Sequence, residues 1–116
     1  MREAEVARFE HVGDVREVRI VEGDDGSLEV RERLTGPSAL VAYGEDEHGL
    51  RVGFAPDAVE GLLRAVGEAG HPSLADYLED EKNDVVDLMD LCDARDVAYT
   101  FVGIGPRSGV QAQPSR

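Results

Sequence analysis

Residues 83–104 read NDVVDLMDLCDARDVAYTFVGI. Val85, Leu88, Met89 and Cys92 recur at i, i+3, i+4 and i+7, one face of a 3.6-residue period, so the stretch opens as an amphipathic helix. Val97, Tyr99 and Phe101 then alternate with Ala98, Thr100 and Val102. Both sets are largely apolar, which predicts a strand covered on one face and partly on the other. The helix supplies an apolar stripe and the strand a surface on which to bury it. The opposite helix face carries Asp87 and Asp90, beyond the expected first turn, with Asp84 and Asp93 at its borders.

Upstream, Ser73 is placed to cap a short helix whose Leu74, Tyr77 and Leu78 face inward. Were that helix continuous with the next, Glu81 would fall in the apolar stripe, at the cost of a buried lone charge. A break at Glu81–Asn83 is therefore expected, with Asn83 capping the last helix. Before His71-Pro72, the pattern Val59, Leu62, Leu63, Val66 marks a third helix. Asp57 is its expected N-cap, Glu60 its N3 partner and Gly70 its C′ residue. Gly61 and Gly67 weaken it by about 1 kcal/mol each relative to Ala.

The first half of the chain reads as strands. Residues 4–10 suit a short edge strand. Val18 and Ile20 oppose Glu17 and Arg19, and after a Gly23–Ser27 turn Leu28, Val30 and Leu34 oppose Glu29, Arg31 and Arg33. The charged face can form cross-strand ion pairs, each worth about 0–1 kcal/mol. Ala39 to Tyr43 is apolar throughout and reads as an inner strand. It would pair with 50–54 across the turn GEDEHG, and Gly53 marks a bulge or a close neighbour. Residues 106–116 lack periodicity and are expected to be a disordered tail, leaving a single domain over 1–105. Strands in a block, then helices, then a strand predict an α+β fold. The expected sheet is antiparallel, with about five strands from two N-terminal hairpins plus the C-terminal strand, packed on one face by two to three helices.

The 116 residues suffice for one core. The net charge is −13, which repels nucleic-acid phosphates and anionic membrane surfaces and favours a basic protein surface as partner. Solubility in an acidic or salt-adapted proteome would give the same charge without a partner. Cys92, the only cysteine, excludes an intrachain disulfide and is expected to be a buried, inert thiol. No leader-like apolar segment opens the chain and no run approaches the ~18 apolar residues of a span, so a cytoplasmic location is expected.

Hydrolase, phosphate-loop and zinc signatures are missing. The histidines, His11, His48 and His71, all fall at expected turns or breaks. Glu45, Asp46 and Glu47 beside His48 can in principle hold a cation, but a solvated tip is the expected state. His71 can pair with Asp76. Neither catalytic nor metal residues, nor any cofactor, are assigned.

The acidic helices are the one functional lead. Between Ser73 and Asp96 stand Asp76, Glu79, Asp80, Glu81, Asp84, Asp87, Asp90, Asp93 and Asp96, against Lys82 and Arg95 alone, leaving −7. At ~1.5 Å per residue this is one carboxylate per ~4 Å, where duplex DNA carries one charge per ~1.7 Å. Asp is also a poor interior helix former, so repeating it costs stability. A helix-then-strand C-terminus with acidic helix faces resembles, in general outline, small acidic inhibitors of nucleases; the resemblance carries over no residue. The expectation is a non-enzymatic module docking on a basic protein surface, such as that of a nuclease or another nucleic-acid-binding protein, as an inhibitor, immunity-type protein or DNA mimic. Asp84, Asp87, Asp90 and Asp93 would carry binding, with Glu79 and Asp80 at the rim. The alternatives are a small ligand- or metal-dependent enzyme using the turn histidines and carboxylates, and an obligate oligomer, for instance a homodimer.

Overall fold

A computed structural model of the chain describes residues 1–105 and, as backbone, 109–115. Five strands, β1 (Arg2–His11), β2 (Asp14–Glu22), β3 (Leu28–Thr35), β4 (Glu47–Phe54) and β5 (Tyr99–Gly105), form an antiparallel sheet in chain order. Helices α1 (Pro37–Tyr43), α2 (Pro56–Glu68), α3 (Leu74–Glu79) and α4 (Val85–Ala94) accompany it. The α+β architecture expected from the sequence is the one observed. Where a tail was expected, the backbone of Gly109–Ser115 pairs antiparallel with β5 as a further strand, β6; residues 106–108 and 116 lie outside the described residues. No helix among the described residues is long and apolar enough to cross a membrane.

The core lies between one sheet face and α2, α3 and α4. Val18, Val30, Leu50, Val52 and Phe54 from the sheet meet Leu62, Val66, Leu74, Leu78, Val85, Leu88 and Cys92 from the helices. The stripe of α4 is buried as expected, with Met89 at its margin. Along α2, Leu63 is exposed and Ala65 takes the inward position instead.

Two boundary expectations fail for physical reasons. Residues 39–43 form a helix, not a strand, so the second hairpin is β3 and β4 joined through α1. A short apolar run fits either period. Gly36, at φ 114, turns the chain where a Cβ would stand 2.4 Å from the Gly13 carbonyl oxygen. Pro37 then sits in the first helical turn and Gly44 ends the helix in the left-handed region. Only Ala39 of α1 is buried. The cap of α2 is Ala55 with Pro56 starting the helix, and no side chain caps it, so the Asp57–Glu60 box does not form. Its other end is as read. Gly70 (φ 95) follows the cap residue Ala69, His71 N–H donates to the Val66 carbonyl and Gly70 N–H to the Gly67 carbonyl, a Schellman closure.

The outer sheet face is a lattice of ion pairs: Arg8–Glu17, Arg33–Glu47, Arg19 with Glu3 and Glu5, Arg31 with Glu3 and Glu29. Arg19, Arg31 and Arg51 stand directly opposite one another across three strands, and Glu3 bridges the first two. At Gly53, a Cβ would lie 2.9 Å from the Thr100 hydroxyl, the close neighbour expected there. The β1–β2 register slips between Glu5 and Ala7, so Val6 is an extra residue in β1. The two strands are joined by a tight turn in which both Val12 (φ 48) and Gly13 (φ 86) have positive φ. That geometry suits Asn-Gly; it costs a non-glycine residue about 1–2 kcal/mol, and β-branched Val tolerates it worse than Asn.

Candidate functional site

The break at 80–84 is where it was expected, but its cap is Asp84, not Asn83. The Asp84 carboxylate accepts the Asp87 backbone N–H at 2.9 Å, and the Asp87 carboxylate accepts the Asp84 N–H at 3.0 Å. The two aspartates form a reciprocal capping box. Asn83 serves the preceding helix instead, its side-chain amide donating to the Tyr77 carbonyl at 3.0 Å.

The six residues expected to bind therefore divide. Asp84 and Asp87 are half-buried and committed to the first turn of α4. This corrects the expectation that Asp87 lies beyond that turn. Asp80 accepts the Lys82 N–H at 3.0 Å, and Asp93 accepts the Tyr99 hydroxyl at 3.0 Å. Glu79 and Asp90 are exposed and make no hydrogen bond or ion pair among the described residues. Accepting a backbone N–H uses a carboxylate's lone pair without removing its formal charge. Three of the six are felt at Tyr77: burial first, and then Asp87, Asp84 and Asp90 among its charged neighbours, push its phenol up to about 12.

Sequence reasoning missed a polar cluster on the inner sheet face. Arg16 and Glu32 share the parity of Val18 and Val30, so both point toward the helices. Glu32 is only 4% exposed. Its carboxylate accepts Arg16 Nη1 at 3.1 Å and the Val85 N–H at the start of α4. Burial raises its pKa most, and the Asp84 charge adds to this; Arg16 and the Val85 N–H oppose. The Arg16 guanidinium lies 4.5 Å from the Phe9 ring centroid and donates from Nη2 to the Glu81 carbonyl at 2.6 Å. The signal was available in the alternation, where Glu32 falls between Val30 and Leu34.

His48 corrects another expectation. It stands on β4, 6% exposed, not at a solvated tip, and Glu45 is buried too. Its ring stacks on Tyr43, and its Nδ1 has no hydrogen-bond partner. His71 meets Asp76 at 2.8 Å, as the sequence suggested. Among the described residues no group of three or more His, Cys, Asp or Glu is placed to hold a metal ion.

Between the β1–β2 turn, α1 and the start of α4 lies a cleft of about 450 Å³. Phe9, Ala39, Ala42 and Tyr43 give it apolar walls; Asp14, Glu81 and Asp84 give it carboxylates. His11 Nε2 meets Glu81 Oε1 at 2.6 Å, and Asp14 accepts the Ser38 backbone N–H at 2.9 Å and its hydroxyl. Those two bonds hold the Asp14 pKa down. Among the described residues the cleft sets carboxylates beside aromatic rings, with the Arg16 guanidinium matched by Glu32 and the His11 imidazole against Glu81. Compared with known proteins, the chain matches no family model, no curated relative and no solved structure.

Proposed function

We propose that this chain is a non-enzymatic acidic module that docks on a basic surface of another protein. The observation that carries the reading is the segregation of its charge. Arg2, Arg8, Arg16, Arg19, Arg31 and Arg33 on the sheet each lie within ion-pair distance of a carboxylate. The helical stretch 73–96 holds only Lys82 and Arg95 against nine acidic residues. With −7 that stretch carries more than half of the net charge, and such a field steers a cationic partner and speeds association.

Immobilised chain should retain a protein from extract of its source cells that moderate salt releases. A Glu79→Gln/Asp90→Asn/Asp93→Asn variant, which leaves the capping pair intact, should retain it less, mainly through slower association. Absence of salt-sensitive retention, or equal retention by the variant, would overturn the reading.

A further inference from the structure

Seven large apolar residues are exposed among the described ones, and they are not scattered. Val12, Leu40, Val41 and Tyr43 stand on the β1–β2 turn and α1, which meet where a Cβ on Gly13 would contact Pro37. Val86 follows on the first turn of α4, two residues from Asp84. Five of the seven therefore stand on the elements that border the acidic cleft, and Tyr43 lines it. Val41 is 88% exposed and Val12 99%. Val12 is the sharper observation. A β-branched residue occupies a left-handed turn position that Asn fills more readily, and its side chain packs against nothing among the described residues. Unfavourable backbone with no internal compensation points to a contact outside the molecule.

We propose that this corner is the docking surface for a segment of a partner protein that is both apolar and cationic. Apolar side chains of the partner lie over Val12, Leu40 and Val41, and an arginine or lysine enters the cleft between Tyr43 and the carboxylates of Glu81 and Asp84. Charge complementarity selects this occupant. Arg16 is matched by Glu32 beneath it, and the three carboxylates of Asp14, Glu81 and Asp84 stand against the single imidazole of His11, so the cleft favours a cation. A second copy of the chain would bring its own charge of −13 to an acidic site. Protein-docking patches combine an apolar area with a polar, charged border; here the apolar Val12, Leu40 and Val41 adjoin the carboxylates of the cleft. The proposal rests on the docking reading above and locates its contact surface.

The test uses the full chain and an acetylated Leu-Arg-Val-Arg-Leu amide peptide, followed by amide chemical shifts. Saturable shifts centred on Val12, Leu40–Tyr43 and Val86 are expected. The peptide with citrulline at both arginines should bind at least tenfold more weakly. Val12→Asn should raise the urea midpoint of the chain while weakening peptide binding severalfold, a combination that loss of folding cannot produce. Asp84→Asn, which retains the cap, should weaken binding as well. Equal affinity for the citrulline peptide, or shifts centred on Asp90 and Asp93, would overturn the assignment. So would sedimentation showing a dimer that Val41→Ser dissociates. If the salt-released partner is retained alike by wild type and by Val12→Asn/Val41→Ser, the docking function stands and this surface falls.

Discussion

The rings of Tyr43 and His48 lie flat on each other, centroids 3.8 Å apart and planes 9° from parallel. This contact and the burial of Ala39 tie a seven-residue helix to the sheet. A helix this short has little stability of its own. Tyr43→Ala should therefore loosen α1, with faster amide exchange over 37–43 and a loss of about 1 kcal/mol in urea titration. His48→Phe should keep the stack and remove the unpartnered Nδ1, leaving the protein as stable as wild type or more so. A large loss in the phenylalanine variant would show that the imidazole makes a bond this packing does not require.

Glu32 gives the chain a pH dependence opposite to that of an ordinary paired carboxylate. Its pKa is raised from 4.5, burial being the largest cause. The folded chain then holds this proton at pH values where the unfolded chain has released it. Stability from the group is complete below about 4.5 and is lost as pH rises through the folded pKa. The stability of wild type relative to Glu32→Gln should accordingly fall as pH is raised from 4.5 toward neutrality. A gap that widens would mean that Arg16 outweighs burial. Arg16→Met, which strands the carboxylate, should cost about 3–5 kcal/mol at neutral pH.

The capping box separates residues that look equivalent in sequence. Asp84→Ala should cost about 1 kcal/mol and reduce helicity, whereas Asp84→Asn should cost little because Asn caps as well. Asp87→Ala should be destabilising. Asp90→Asn, which removes only repulsion from an exposed helix position, should be neutral or slightly stabilising. Circular dichroism with urea titration distinguishes the four.

Cys92 is fully buried, and burial pushes its thiol up to about 12, with Asp93 adding to the effect. Native protein at pH 8 should react with a thiol reagent far more slowly than urea-unfolded protein. Rapid native labelling would contradict the packing of α4.

Apart from the N-caps of α2 and α4, the helical half was legible because its signals were redundant. Ser73 caps α3, Gly70 closes α2, and Val85, Leu88 and Cys92 share one stripe; each residue type has one physical use at its position. The error at Ala39–Tyr43 came from a run too short to show a period, where Gly36 and Gly44 decided the outcome through backbone geometry. The Arg16–Glu32 pair was passed over because the alternation was read only for Glu17, Arg19, Glu29, Arg31 and Arg33, although the same parity places Arg16 and Glu32 inward. The corner around Val12 was illegible for another reason: the β1–β2 turn was not recognised in the sequence, and exposure depends on what the fold leaves uncovered.

The extra residue at Val6 bears on what happens at the open side of the sheet. Among the described strands β1 has a neighbour on one side only, and the outward-facing backbone groups along it form a template on which a foreign strand can zip. The slip between Glu5 and Ala7 breaks the spacing of that template near its middle, and Glu3, Glu5, Arg8 and Glu10 put charge along it. An incoming strand could match one half of the edge or the other, not both in one register. Straightening β1 by deleting Val6 should therefore lower the concentration at which the protein forms amyloid-type fibres, even if the monomer folds.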